Sequence, residues 1–333
     1  MLVVGPNGAG KTNLLESLHV GTQGFSPRTR SDSDLIRFGE QAADVAVRGE
    51  RAGVPVELEV ALRLGEAKEA RLNGARLRTA EQLRAEVATL VFTPDRLVVV
   101  KGPPAARRAY FDRVVGRIAP AKAKLSSEYG ATLAQRNAAL RRVAAGFSAR
   151  DAIAPWTERV AQLAAELVAV RHEVTQLLQP GFAEHAGALG LAAARLEYEA
   201  EPPTKVELEA RLDRDLERGA TGLGPHLDDV AIVAAKRDLR TFGSQGEQRI
   251  AVLALLLAEA ELVRERRSTK PLLLLDDVLS ELDPARRETL AERIRGLGQA
   301  IVTSTTRGAL PIEPDELLEV AVTKDGESVV TRA

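Results

Sequence analysis

Gly5-Pro6-Asn7-Gly8-Ala9-Gly10-Lys11-Thr12 stands almost at the start of this 333-residue chain and fits G-x-x-x-x-G-K-[ST] in full. Each part of the octapeptide has a physical task. Glycines let consecutive backbone N–H groups curl around phosphate oxygens without Cβ clashes. A helix starting near Lys11 adds its positive N-terminal end. Lys11 then bridges the β- and γ-phosphates, and the Thr12 hydroxyl ligates Mg²⁺. The flanks agree with this, because the apolar run Met1 to Val4 precedes the loop and helical spacing from Lys11 to Val20 follows it.

Working outward, a second segment complements the first. Pro271-Leu272-Leu273-Leu274-Leu275-Asp276-Asp277 places four leucines before two aspartates. Such a run suits a central parallel strand buried on both faces. A carboxylate at its carboxyl end lies at the rim where open α/β sheets bind ligands. Asp276 is expected to complete the Mg²⁺ shell and Asp277 to polarise the attacking water. One strand ending in Asp is common, so this segment gains its meaning from the loop at Gly5 to Thr12.

Between the two, the chain changes character. Extended segments are expected over Ala43–Arg48 and Val54–Leu64, a hairpin around Asn73-Gly74, and a buried strand over Ala88–Phe92. From Pro103 to Leu178 apolar residues recur three and four apart, with breaks near Ala119-Pro120, Gly146-Phe147 and Pro155. A mixed segment follows, then an acidic helix opened by Pro202-Pro203. Strand–helix alternation resumes after Thr221, with strands at Asp229–Ala234, Leu272–Asp276 and Ala300–Ser304 and helices at Gly246–Arg264 and Pro284–Leu297. The reading is α/β at both ends with an all-helical middle: residues 1–102 plus 220–333 as one split lobe, and 103–219 as an inserted helical lobe.

Composition bounds the rest. The length allows about two domains. With 45% hydrophobic and 28% charged residues the chain has an ordinary globular balance. It contains no cysteine, which excludes disulfides and thiolate metal sites, and its four histidines form no close pair. No apolar run is long enough to span a bilayer and no secretion signal precedes the first motif, so the cytoplasm is expected. The net charge of −1 hides opposed patches. Residues 101–150 hold eleven basic side chains against two acidic ones, and residues 197–217 hold eight acids against three bases. Each patch is either a solvated helix face or a docking surface.

The third motif is Phe242-Gly243-Ser244-Gln245-Gly246-Glu247-Gln248-Arg249, ahead of the apolar helix from Ile250 to Val263. Alone it is a good helix cap. It lies 32 residues before Asp276, and Ser280-Glu281-Leu282-Asp283 follows just after. Together these resemble the signature, Walker B and D-loop of the ABC-type P-loop ATPases. Within that superfamily the chain resembles the RecF family of bacterial recombination mediators from Gly5 to about Ser304. Further segments that carry the likeness are Leu35-Ile36-Arg37-Phe38-Gly39, Phe92-Thr93-Pro94-Asp95, Lys101-Gly102-Pro103 with Arg107-Arg108, Gln135-Arg136-Asn137 and Gly224-Pro225-His226-Leu227-Asp228-Asp229.

The resemblance implies a two-lobed head like those of SMC and Rad50 proteins, without the long coiled coil. It implies ATP as ligand with Mg²⁺, held by Gly5 to Thr12. It also implies an ATP-dependent homodimer in which Ser244, Gln245, Gly246 and Asp283 of one copy close over the nucleotide of the other. DNA, gapped or double-stranded, and the proteins RecR and RecO are the implied partners in loading recombinase at single-strand gaps. Paired aspartates are a RecF-like detail, since most ABC ATPases place Glu second; the shorter Asp277 is consistent with slow, DNA-dependent hydrolysis. If the basic segment contacts DNA backbone, Arg107, Arg108, Arg141 and Arg142 are the candidates, and Arg28 and Arg30 weaker ones. Against that, Arg107 and Arg108 can instead pair with acids inside the lobe. An ABC transporter subunit and an SMC-like ATP-gated scaffold are the competing readings. The long polarised insert and the missing switch histidine speak against the transporter.

Several departures stand out. Thr303-Ser304-Thr305-Thr306 follows the strand where many ABC proteins carry that histidine, so the γ-phosphate contact is unassigned. No glutamine lies near Phe92–Asp95, and Leu227 replaces a commonly basic residue. His226 reads equally as a structural or a functional histidine. RecF-like heads usually carry strands before the P-loop, whereas here Gly5 follows only four residues. The expectation is that the native chain starts upstream, which a mass measurement tests. A frayed sheet edge and weakened ATP binding are expected with it.

Overall fold

The computed structural model describes residues 1–333 apart from 30, 52, 268, 324–326 and 333. In chain order its elements are β1 (Leu2–Val4), α1 (Lys11–Gln23), β2 (Ala42–Arg51), β3 (Val54–Arg63), β4 (Glu69–Leu72), β5 (Ala75–Arg76), α2 (Ala80–Glu86), β6 (Thr89–Phe92), α3 (Val98–Lys101), α4 (Pro104–Ile118), α5 (Leu125–Ala144) and α6 (Ala154–Ala188). They continue with β7 (Ala194–Glu197), α7 (Lys205–Ala210), α8 (Leu212–Arg218), β8 (Ala231–Ala234), β9 (Arg237–Asp238), α9 (Leu239–Phe242), α10 (Gln245–Arg267), β10 (Leu272–Leu275), α11 (Pro284–Arg295), β11 (Gln299–Ser304), β12 (Leu317–Val322) and β13 (Ser328–Arg332).

By packing, one unit comprises Met1–Arg96, Ala188–Gly190 and Val263–Ala333, and the other Leu97–Gly187 and Leu191–Leu262. β8, β9, α9 and most of α10 thus pack with the helical unit, whereas the motifs divide the chain at 102/103 and 219/220. The first unit is α/β. Its mixed sheet runs β13-β12-β1-β11-β10-β6, parallel throughout except for the antiparallel β12–β13 pair. The leucine run explains the centre: β10 is paired on both sides, and Leu273, Leu274 and Leu275 are fully buried. β1 is short but interior, paired with both β11 and β12, so the expected frayed edge does not occur there. Val3, Ala9, Leu15, Val91, Leu274, Ile301 and Val320 form one apolar core beneath the glycine loop.

A second sheet, β2-β3-β4-β5, packs its apolar side around Val20, Leu58, Val60, Leu62 and Leu83. Its last hairpin is the one expected at Asn73-Gly74. Both residues have positive φ, 48° and 80°, and Leu72 pairs with Ala75 across them.

The helical unit holds α3 to α9, three strands and the first part of α10. Two sequence expectations are corrected here. The middle is not all helix, because β7 pairs antiparallel with β8 in a sheet ordered β7-β8-β9; four residues alternating between buried and exposed positions are too short to stand out beside long helices. Nor does the long helix end near Leu178. α6 continues through Pro180 to Ala188. Packing outweighs the lost N–H there: Phe182 and Ala186 are fully buried, and a Cβ on Gly181 would sit 3.3 Å from Ala258 Cβ.

Candidate nucleotide-binding site

The glycine loop joins β1 to α1 at the carboxyl end of the parallel strands. Gly8 and Gly10 have φ of 80° and 100°, a region that glycine takes readily, and the Ala9 N–H between them donates to Pro6 O at 3.2 Å. Gly10 also has no room for a side chain, since its Cβ would lie 2.4 Å from Ser328 Oγ. Gly5 is limited by backbone instead, with Val320 O at 2.3 Å from its notional Cβ. Pro6, Asn7 and Gly8 are exposed while Ala9 is buried in the core, so the loop is anchored by one residue and open along the rest. Lys11 Nζ donates to Gly5 O at 2.8 Å and Pro6 O at 3.0 Å, spanning the loop's mouth.

Thr12 and the aspartates after β10 meet across the sheet. Thr12 Oγ1 donates to Asp276 Oδ2 at 2.9 Å, and Thr303 Oγ1 donates to Asp276 Oδ1 at 2.7 Å. The Asp277 N–H donates to Thr303 Oγ1 at 2.9 Å. Asp277 has φ +48°, a region in which Asp and Asn are tolerated far better than Glu. The second aspartate therefore has a local backbone reason. Ser280 Oγ lies 3.1 Å from both Asp277 Oδ2 and Asp277 O.

These residues line a cavity of about 310 Å³, with Asn7, Gly8, Gly10, Lys11, Thr12, Asn13, Arg28, Pro94, Asp276, Asp277, Thr303 and Thr305 on its walls, all in the first unit. Thr12 and Asp276 offer the hydroxyl and carboxylate oxygens that Mg²⁺ prefers, leaving further positions to phosphate oxygens and water. Among the described residues no group of three or more His, Cys, Asp or Glu side chains could hold a metal ion.

Three cavity neighbours, Arg28, Thr303 and Thr305, matter more than the sequence suggests. Arg28, weighed only as a weak DNA candidate, lines the cavity and pairs with Glu16 at 3.3 Å. Ser26 Oγ accepts from the Arg28 and Thr29 N–H groups and donates to Glu16, tying this loop back to α1. Arg30 lies outside the described residues. Thr303 and Thr305 were noted for the absent histidine, yet both line the cavity; a hydroxyl ending an apolar strand was the available signal.

The remaining site candidates lie elsewhere. Ser244, Gln245 and Gly246 are exposed at the start of α10 in the helical unit. Ser244 Oγ accepts from the Glu247 N–H and Glu247 returns the bond to the Ser244 N–H at 2.8 Å, a capping box. That returned bond holds the Glu247 carboxyl below its usual range. Asp283 caps α11, accepting from the Arg286 N–H at 2.9 Å.

The four arginines divide. Arg107 is buried and bidentate to Asp229 at 2.7 and 2.6 Å, with further bonds to Val100 O and Gly102 O. Its candidacy for DNA contact is corrected: a guanidinium 2% exposed, with four of its five N–H donors engaged, is not available to a phosphate. Arg108 is half-buried and donates to Asp228 O; burial and the nearby Arg171 hold its pKa below the usual value. Arg141 and Arg142 are exposed at the end of α5, with only long bonds to Gly219 O (3.3 Å) and Ser148 Oγ (3.4 Å). Arg117 and Arg136 are also paired inside the unit, so the basic excess of residues 101–150 does not form one continuous face. His226 reads as structural, its Nδ1 at 2.8 Å from Tyr129 Oη and its Nε2 at 3.1 Å from Thr221 O, and burial lowers its pKa.

Comparison with known proteins shows the family and the fold. The family model of the RecF/RecN/SMC N terminal domain matches residues 1–329. The DNA replication and repair protein RecF of Heliobacterium modesticaldum is 34% identical over 318 residues, covering 92% of this chain and 86% of the relative. RecF of Bacillus subtilis is 33% identical, with 92% and 86% covered. Among solved structures, the recombination mediator protein RecF with ATP superposes with a TM-score of 0.85 at 28% identity, covering all of this chain and 91% of the other. An SMC head bound to a winged-helix domain of ScpA shares the fold, with a TM-score of 0.60 at 18% identity over the whole chain and 89% of its own length.

Proposed function

We propose that this chain, which belongs to the RecF/RecN/SMC N terminal domain family and to the RecF proteins within it, is an ATP-dependent DNA-binding switch of DNA repair and replication. In this reading ATP joins two copies into a dimer that holds gapped or double-stranded DNA, and slow, DNA-dependent hydrolysis releases it. RecR and RecO are the proposed partners in loading recombinase at gaps. Residues 1–102 with 220–333 serve as the ATPase lobe and 103–219 as the inserted lobe.

The observation that carries the reading is the joining of the glycine nest to the Thr12–Asp276–Thr303–Asp277 hydrogen bonds in one cavity. The loop N–H groups and the α1 N-terminus receive the phosphates. Lys11 exchanges Gly5 O and Pro6 O for the β- and γ-phosphate oxygens, a gain in charge complementarity at little cost in position. Mg²⁺, held by Thr12 and Asp276, would neutralise developing phosphate charge. Asp277 orients and polarises the water in line with the leaving group. Ser244, Gln245 and Gly246 of a second copy supply a hydroxyl and helix N–H groups to the γ-phosphate, and Asp283 lies in the connecting D-loop.

Sedimentation with ATP and Mg²⁺ tests this. A monomer is expected without nucleotide, a dimer with it, and a larger species with gapped DNA. Lys11→Ala should stay monomeric throughout. A mass independent of ATP in the unaltered chain would overturn the dimer reading and leave a monomeric ATPase.

DNA contact is tested separately. Reversing Arg141 and Arg142 to glutamate should weaken DNA binding at all sequences and lower the slope of log affinity against log salt by about 2. An unchanged slope would make these residues a solvated helix face.

A further inference from the structure

We infer that Thr303 is a positioning residue that ties the two aspartates together, so that the carboxylate facing the metal and the one facing the attacking water are set by a single hydroxyl. The inference deepens the ATPase reading above and rests on it.

Hydrogen-bond direction is fixed by chemistry. The Asp277 backbone N–H can only donate, so Thr303 Oγ1 accepts it at 2.9 Å. That leaves the one hydroxyl proton for Asp276 Oδ1, 2.7 Å away. The result is a polarised relay, Asp277 N–H to Thr303 O–H to Asp276 Oδ1, whose two bonds reinforce each other. Thr303 is fully buried on β11, in register with Val3 of the strand that feeds the glycine loop. Its position is therefore set by the central sheet and not by a loop.

Each end of the relay matters to the site. Asp276 Oδ2 is held by the Thr12 hydroxyl at 2.9 Å. To ligate Mg²⁺, Thr12 must turn its proton away and offer a lone pair, which frees Oδ2 toward the cation. Oδ1 then keeps Thr303 as its hydroxyl tether, and a carboxylate torsion is soft without one. At the other end, Asp277 adopts φ +48°, and the Thr303 oxygen receives its N–H. Ser280 Oγ continues the chain from Asp277 toward the D-loop. Thr303, fully buried, acts through the two aspartates that its hydroxyl joins.

The test uses Thr303→Val, which keeps shape and removes the hydroxyl, and Thr303→Ser, which restores it. In the valine variant, Mn²⁺ affinity in the presence of ADP, read by electron paramagnetic resonance, should fall about tenfold or more, and the Mg²⁺ needed for half-maximal turnover should rise in step. Binding of fluorescent ATP without metal should be unchanged, and the serine variant should lie near the unaltered protein in every readout. Hydrogen exchange at the Asp277 amide should be about tenfold faster in the nucleotide-free valine variant, since its acceptor is gone. If valine prevents folding, Thr303→Ala carries the same expectations. Unchanged Mn²⁺ affinity and unchanged exchange in a folded valine or alanine variant overturn the proposal, as does a folded serine variant as impaired as valine. Failure of the ATPase reading looks different: the unaltered chain would show no ATP turnover and no ADP-dependent Mn²⁺ binding, while the exchange measurement would still report on the tether.

Discussion

Asp277→Asn is expected to slow ATP turnover by roughly 10²- to 10⁴-fold with little change in nucleotide affinity. Asparagine keeps the size of the side chain and tolerates the φ of +48° found here, so the backbone beneath it need not move. The Asp277 N–H keeps Thr303 Oγ1 as acceptor, and the amide oxygen can still accept from Ser280. What disappears is the carboxylate charge that orients and polarises water. The phosphate-holding parts, the glycine nest, Lys11 and Thr12, are untouched. A protein that binds ATP and cannot discharge it should accumulate as the dimer. Sedimentation should show that species persisting for hours in Asp277→Asn and decaying in the unaltered chain. Turnover equal to that of the unaltered chain would remove Asp277 from the chemistry and direct attention to Arg28 and Thr305 on the same cavity wall.

The contrast between what was legible and what was not follows from the range of the interactions. Gly5 to Thr12 is legible because a phosphate nest must be built from adjacent residues, so its whole physics lies in eight positions. Leu272 to Asp277 is legible because burial on both faces leaves no polar alternation. Asn73-Gly74 is read directly because a two-residue hairpin turn restricts which residues can take positive φ. The tether from Thr303 to Asp276 spans 27 positions, and the hydroxyl ending an apolar strand, its one local signal, does not name the partner. β7 gains its identity from β8, dozens of residues later. Charge was the most misleading signal. Arg107 and Arg136 add to a basic excess when counted along the chain, yet their partners Asp229 and Asp215 lie 122 and 79 residues away. Net charge along a segment measures a face only when its members are exposed.

That misreading leads to the largest stability effect expected in the molecule. Arg136 and Asp215 are both completely buried and paired at 2.8 Å. Arg136 Nη1 also donates to Thr221 Oγ1 at 2.6 Å and its Nε to Thr157 Oγ1 at 3.1 Å. Asp215 Oδ1 accepts from the Gly222 N–H at 3.1 Å, and Asn137 Oδ1 accepts from the Thr221 N–H and hydroxyl. One ion pair thus fastens α5, α6, α8 and the Thr221–Gly222 segment together. Arg136→Met removes the nearer cation and leaves the buried Asp215 carboxylate only Arg211, whose Nε lies 3.7 Å from Oδ1, which should cost about 3–5 kcal/mol. The charge, not the contact area, dominates that cost. Arg136→Met combined with Asp215→Leu should therefore be more stable than Arg136→Met alone, although each substitution by itself destabilises. Urea unfolding followed by hydrogen exchange in α5 and α8 gives both single variants and the double. Simple additivity of the two losses would mean that water reaches the pair, and the sequence motif around Arg136 would then need a role outside the fold.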